Sequence, residues 1–127
     1  MDWTATMLAA AGVAEGVDAP LDGVDMAPVL ADPKRNPPRK FYWRMNHRRQ
    51  AAMRDGRWKY LAMDSHEYLF DVEADPRERA NLAKREPDRL EAMRTEWQAW
   101  AATMPGIPAD AQVHLVFNEA ELPRATF

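Results

Sequence analysis

Chemistry in this 127-residue chain has few residues to draw on: three histidines, one serine and the charged side chains, with no cysteine at all. The missing cysteine excludes disulfide staples, thiolate zinc sites and cysteine nucleophiles. His47, His66 and His114 show no metal-ligand spacing, so no zinc site is expected. Asp22, Asp25 and Asp32 lack the tight alternation and the glycine placement of a calcium loop and read as surface acids. Glu67 and Asp71 share one face of a strand, but nothing places a nucleophile or a substrate between them, so they do not read as an acid–base pair. What remains is the basic connection Asn46-His47-Arg48-Arg49. A guanidinium fork suits bidentate capture of an oxyanion, so His47, Arg48 and Arg49 are kept as candidates for contact with an anionic group. The alternative for these residues is a solvated turn balanced by acids of the same domain.

Charge is segregated along the chain. Six acids and no Lys or Arg precede residue 34, and ten basic residues stand against the single acid Asp55 between Lys34 and Met63. Ten acids then lead six bases from Asp64 to Ala99, within a net charge of −3. A basic middle could steer an anionic ligand, or it could be a sheet face answered by neighbouring acids. A hydrophobic share of 46% with 29% charged residues is that of a globular domain. No apolar run approaches the ~20 residues of a membrane-spanning helix, and the N-terminus lacks the basic start and apolar centre of a signal peptide. Cysteine-free domains occur on both sides of a membrane, so composition leaves the compartment open.

The elements that must position the basic connection follow from pattern. Asp2 to Ala11 reads as a short helix, with Asp2 able to cap and Gly12 at the C′ position. Its apolar side of Trp3, Met7, Ala10 and Ala11 is too short to stand alone and asks for a partner surface. Residues 16–31 read as loop with a short turn from Val24 to Leu30, in which Met26 and Leu30 face inward. Asp32 to Pro38 is a breaker cluster, which suggests a lead-in of residues 1–33 and a domain of residues 34–127. Lys40–Met45 alternates as a strand, with Phe41, Trp43 and Met45 on one side and Tyr42 and Arg44 on the other. Ala51–Arg54 and Arg57–Met63 form a hairpin about Asp55-Gly56, where a type I′ turn is expected. In its second arm Trp58, Tyr60 and Ala62 alternate with Lys59 and Leu61, and Glu67–Val72 follows as a fourth strand. Beyond Glu86, Pro87 sits at N1, and Leu90, Met93, Trp97, Trp100 and Met104 repeat at helical spacing until Pro105-Gly106. A last apolar run, Val113 to Phe117, reads as an edge strand or a partner contact. The fold class is therefore α+β: a small four-stranded antiparallel sheet covered by one amphipathic C-terminal helix, after a short N-terminal helix and a loop-rich lead-in.

Two runs carry a family resemblance: Arg54-Asp55-Gly56-Arg57-Trp58-Lys59-Tyr60, then Tyr68-Leu69-Phe70-Asp71-Val72 with Asp75-Pro76-Arg77-Glu78 and Asn81-Leu82-Ala83. Together with Asp2-Trp3-Thr4-Ala5-Thr6, Ala11-Gly12-Val13 and Pro20 to Val24 upstream, they resemble, in order, the C-terminal region of the type I sulfatases. These are alkaline-phosphatase-like hydrolases of sulfate esters. Ala5 departs from that pattern, since the family usually has proline there. The resemblance implies that Arg54, Asp55, Gly56, Trp58, Lys59, Tyr60, Asp71, Asp75, Pro76 and Asn81 are structural signature residues. It also implies that the His47–Arg49 connection borders a substrate cleft.

The parent chemistry uses formylglycine, made from Cys or Ser in a Cys/Ser-x-Pro-x-Arg motif, together with calcium. Here the single serine, Ser65, is followed by His66-Glu67-Tyr68, and the family's calcium ligands and catalytic His and Lys precede the matched region. The resemblance thus implies a subdomain with no catalytic residue, metal site or cofactor of its own, whether Met1 is a true start or an internal methionine. Its implied partners are the sulfatase catalytic domain and an anionic sulfated substrate, or a second copy through the N-terminal helix face, rather than a membrane. Two other classes compete: a nucleic-acid-binding sheet, from the interleaving of Phe41, Tyr42, Trp43, Trp58 and Tyr60 with basic residues, and a free-standing protein-interaction domain. A pI near 5.6 and the lack of RNP-like or GXXG patterns weigh against nucleic acid, and alternation turns most of the aromatics toward the helix.

Overall fold

The structure is a computed structural model that describes residues 1–13, 20–46, 49–108 and 110–111. It divides into two compact units, Met1–Pro38 and Arg39–Phe127. The run from Val113 to Phe117 lies outside the described residues.

In the first unit, helix α1 spans Asp2–Ala10 and ends as expected at Gly12. Gly12 has a φ of 71°, its N–H donates to Ala9 O at 3.1 Å, and Val13 N–H donates to Leu8 O at 3.0 Å. These are the paired bonds of a Schellman motif, which need a left-handed residue at C′. The start of the helix differs from expectation. Met1 is the N-cap, and Asp2 sits inside the first turn, where its carboxylate accepts the distant Val24 N–H at 3.1 Å. Thr6 Oγ1 likewise accepts Met26 N–H at 2.9 Å, so the following loop is tied to the helix by side chains. Ala5 is the buried residue of α1, while Trp3 and Met7 are 66% and 67% exposed. Helix α2, Ala27–Ala31, forms where a turn was expected, but Leu30 points outward at 67% exposure. A five-residue helix is too short to bury a face of its own, so Leu30, one turn on from half-buried Met26, stays in solvent. A 3₁₀ turn, Pro33–Arg35, follows.

The second unit is the expected sheet and cover. Strands β1 (Lys40–Met45), β2 (Gln50–Asp55), β3 (Trp58–Met63) and β4 (His66–Asp71) form an antiparallel meander in chain order. Helix α3 spans Pro87–Ala102, with Pro87 in its first turn. Register aligns Tyr42, Met53, Tyr60 and Leu69 across the sheet. Met53, Tyr60 and Leu69, with Ala51, Ala62, Leu90 and Met93, make one core against which Tyr42, Trp58, Leu82, Ala83 and Trp97 pack. Leu90 and Met93 bury deeply, whereas Trp100 covers the sheet margin by stacking on Tyr42, ring centroids 5.0 Å apart.

The hairpin turn differs by one residue from the expected one. Asp55 pairs with Trp58, so the two turn residues are Gly56 and Arg57 rather than Asp55 and Gly56. Gly56 has a φ of 54°, and Arg57 is not among the described residues with positive φ. Positive φ at the first turn residue alone is the type II′ pattern, which places glycine first. A Cβ at Gly56 would meet nothing within 4 Å, so the backbone angle rather than space requires glycine. Gly56→Ala is expected to cost about 1 kcal/mol, the penalty of a left-handed non-glycine residue, as a shift in the urea midpoint with unchanged m.

Candidate functional site

Arg49 closes the connection between β1 and β2. It is exposed with a φ of 48°, and its N–H donates to Asn46 O at 3.2 Å. His47 and Arg48 lie outside the described residues. Asn46 donates from its side chain to Ala111 O, which ties this end of the sheet to the segment after α3.

The signature residues fall into two groups. On the helix side, Tyr60 is 3% exposed and its hydroxyl donates to Glu67 Oε1 at 3.0 Å. Glu67 also receives Nε and Nη2 of Arg94 from α3, at 2.7 and 2.6 Å. The Arg94 hydrogen bonds hold the Glu67 carboxyl below its usual range, and burial, with Glu67 beside it, pushes the Tyr60 phenol well up. Asp71 is 8% exposed and receives both ends of the Arg57 guanidinium, with Nε at 2.9 Å. It also accepts the Glu73 and Ala74 N–H groups, and the bonds from Arg57 lower its carboxyl pKa. Glu67 and Asp71 therefore each have a cationic partner and are not poised as an acid and a base. Trp58 is half-buried beneath Arg89, whose guanidinium carbon lies 4.3 Å from the ring centroid.

The segment after β4 is held by carboxylate and amide side chains. Asp75 accepts the Arg79 and Ala80 N–H groups at 2.6 and 2.8 Å, and Glu78 takes a φ of 52° to complete the turn begun by Asp75-Pro76. Asn81 accepts the N–H groups of Leu69 and Ala83, each at 3.0 Å, and donates to Glu67 O at 3.1 Å. It thereby takes the place of a neighbouring strand along the outer edge of β4.

The opposite sheet face carries what the basic connection alone did not reveal. Lys59 lies there, bonded to both carboxylate oxygens of Glu78 at 2.8 and 2.7 Å, and Arg54 donates its Nε to Gly56 O at 3.1 Å. Phe41 and Trp43 stack on this face with centroids 6.1 Å apart, and Trp43 is 54% exposed. Of the aromatics weighed as a nucleic-acid platform, Tyr42, Trp58 and Tyr60 pack under the helix instead. Strand alternation placed Phe41, Trp43 and Met45 together on the side away from Tyr42 and α3. Among the described residues no group of three His, Cys, Asp or Glu side chains could hold a metal ion.

Comparison with known proteins places this architecture. No family model matches the chain. The choline-sulfatase of Rhizobium meliloti (strain 1021) is 37% identical over 89 residues, covering 66% of this chain and 17% of that protein. Ps i-CgsB, solved in complex with k-i-k-neocarrahexaose, superposes with a TM-score of 0.59 at 26% identity, over 79% of this chain and 23% of that one. A candidate sulfatase, yidJ from Bacteroides fragilis, gives the same TM-score at 19% identity over 80% of this chain and 24% of its own, a likeness of fold. The chain thus spans between 17% and 24% of the length of these proteins. The resemblance read from the signature runs holds: the chain is similar to the C-terminal region of a sulfatase, and its α+β sheet-and-helix fold recurs in these structures.

Proposed function

We propose that this chain is the C-terminal subdomain of a sulfuric ester hydrolase, non-catalytic by itself, that braces the catalytic domain and borders its substrate cleft. The carrying observation is the joint match to a choline-sulfatase in sequence and to a sulfatase-type subdomain in structure, each over only a fraction of the partner's length. The residues present do not fit the parent cofactors. There is no cysteine, Ser65 lacks the Pro and Arg of a formylglycine motif, and the described acids and histidines form no metal cluster. The covalent chemistry on sulfate would therefore belong to residues outside these 127.

Within the chain, Arg49 and its neighbours His47 and Arg48 are the candidates for reaching the part of the substrate remote from the sulfate. Choline-sulfatase and a protein that binds an oligosaccharide share this subdomain type, which fits a bracing unit common to different substrates with specificity carried by rim loops. Purified chain incubated with 4-nitrophenyl sulfate and calcium is expected to show no turnover above buffer. Turnover that co-purifies with the chain would refute the reading.

A further inference from the structure

The sheet face turned away from α3 leaves apolar surface in solvent. Register sets Trp43, Ala52 and Leu61 in one row across it, with Met45 opposite Gln50 and Phe41 opposite Arg54. Trp43 and Met45 are 54% and 42% exposed, and with Ala52 and Leu61 they line a mostly apolar hollow of about 170 Å³. A contiguous apolar patch of this kind marks a surface that another segment or molecule covers. The chain that follows α3 leads to this patch. Arg44 Nη2 donates to Pro105 O at 2.8 Å, Ala111 N–H donates to Pro108 O at 3.0 Å, and the Asn46 side chain donates to Ala111 O. The last described residue is therefore tied to the residue next after Met45, at the Met45 end of the hollow.

From that anchor the sequence continues through Gln112 to Val113-His114-Leu115-Val116-Phe117 and then Asn118-Glu119-Ala120-Glu121. We infer that the apolar run Val113–Phe117 of this same chain docks along β1, antiparallel to it, and fills the hollow beside Trp43. The tie at Ala111 sets the starting point, and length fits the path. Five extended residues span about 17 Å, a little less than the ~20 Å of a six-residue strand such as β1. Alternation puts Val113, Leu115 and Phe117 on one side, which supplies three apolar side chains to the patch and turns His114 away. Direction supplies charge complementarity. A segment that starts beside Met45 and runs toward Phe41 brings Glu119 and Glu121 to the row where Phe41 faces Arg54. Arg54 is exposed, and its guanidinium fork, which donates Nε to Gly56 O, suits a carboxylate. Strand β1 is also an edge of the sheet, and covering an edge with a further segment is one way that folded proteins protect it. A second copy would offer the same five residues, but the run of the same chain starts already tied to β1, which gives it the effective concentration of a short tether. The inference stands on Trp43, Met45, Ala111 and Arg54 and does not rest on the sulfatase reading.

The test uses the lack of native cysteine, which lets Asn118→Cys carry a single nitroxide label on the ¹⁵N-labelled 127-residue chain. The label is expected to remove most of the intensity of the Trp43 indole signal, relative to the same chain with the nitroxide reduced. Adding Leu115→Asp should restore that signal, with the Leu69 amide in its usual place to report an intact sheet. Truncation after Ala111 should speed exchange of the Trp43 indole hydrogen about tenfold while leaving the Leu69 amide unchanged. A mixture of nitroxide-bearing unlabelled chain with ¹⁵N chain lacking the label separates the two sources of the run, and no broadening is expected there. Equal broadening in the mixture would assign the contact to a second copy and overturn the inference. So would an unbroadened Trp43 signal, broadening centred on Trp3 instead, or broadening that survives Leu115→Asp.

Discussion

Leu69→Ala should be among the most damaging single substitutions in the sheet unit, costing about 2–5 kcal/mol in urea unfolding followed by circular dichroism. Leu69 is fully buried, at 0% exposure, at the β4 end of the row formed by Tyr42, Met53 and Tyr60. Removing its isobutyl group loses the transfer free energy and leaves a cavity that the stiff sheet backbone cannot close. A domain of this size has a total stability of roughly 5–15 kcal/mol, so the variant gives up a large share of it. The control is Leu30→Ala. Leu30 is 67% exposed, and its truncation should change stability by less than about 0.5 kcal/mol.

The second large effect belongs to Asn81. Its side chain makes three hydrogen bonds, accepting Leu69 and Ala83 N–H and donating to Glu67 O. Asn81→Ala leaves the N–H of a fully buried strand residue without a partner, which costs about 1–3 kcal/mol for that group alone, so about 2–3 kcal/mol is expected overall. The loss should also show as faster amide exchange at Leu69 and Leu82, whose own N–H donates to Leu69 O at 2.8 Å. Asn81→Asp keeps both acceptor bonds and loses only the donor to Glu67 O, so it should fall between wild type and alanine. If Asn81→Asp were as damaging as Asn81→Ala, the acceptor role assigned to Asn81 Oδ1 would be wrong.

These two residues also show what was legible in the sequence. Leu69 could be placed in the core because period-two alternation in β1, β3 and β4 and the helical spacing of Leu90, Met93 and Trp97 specify two facing apolar surfaces. Asn81 could be recognised as part of a family signature, but its work could not be read. A side chain that substitutes for a missing strand depends on contacts 12 to 14 residues away, which no local pattern encodes. The hairpin turn failed for a finer reason. Asp-Gly was read as the turn pair, but the ladder pairs Asp55 with Trp58 and shifts the turn to Gly56-Arg57. Leu30 failed because a five-residue helix gives too few turns for periodicity to choose a face, whereas the Trp3/Met7 side of α1, read as lacking a partner surface, is indeed exposed. The Trp43 surface was half legible: alternation put Phe41, Trp43 and Met45 on one side, but only the fold shows that α3 covers the other.

On the proposed reading, these 127 residues serve a sulfatase whose reaction centre lies in other residues. The most direct test is to sequence the coding DNA upstream of the Met1 codon. An open frame continuous with Met1 that encodes a Cys/Ser-x-Pro-x-Arg motif is expected. An in-frame stop codon directly upstream of Met1, with no such motif encoded in the same transcript, would contradict it.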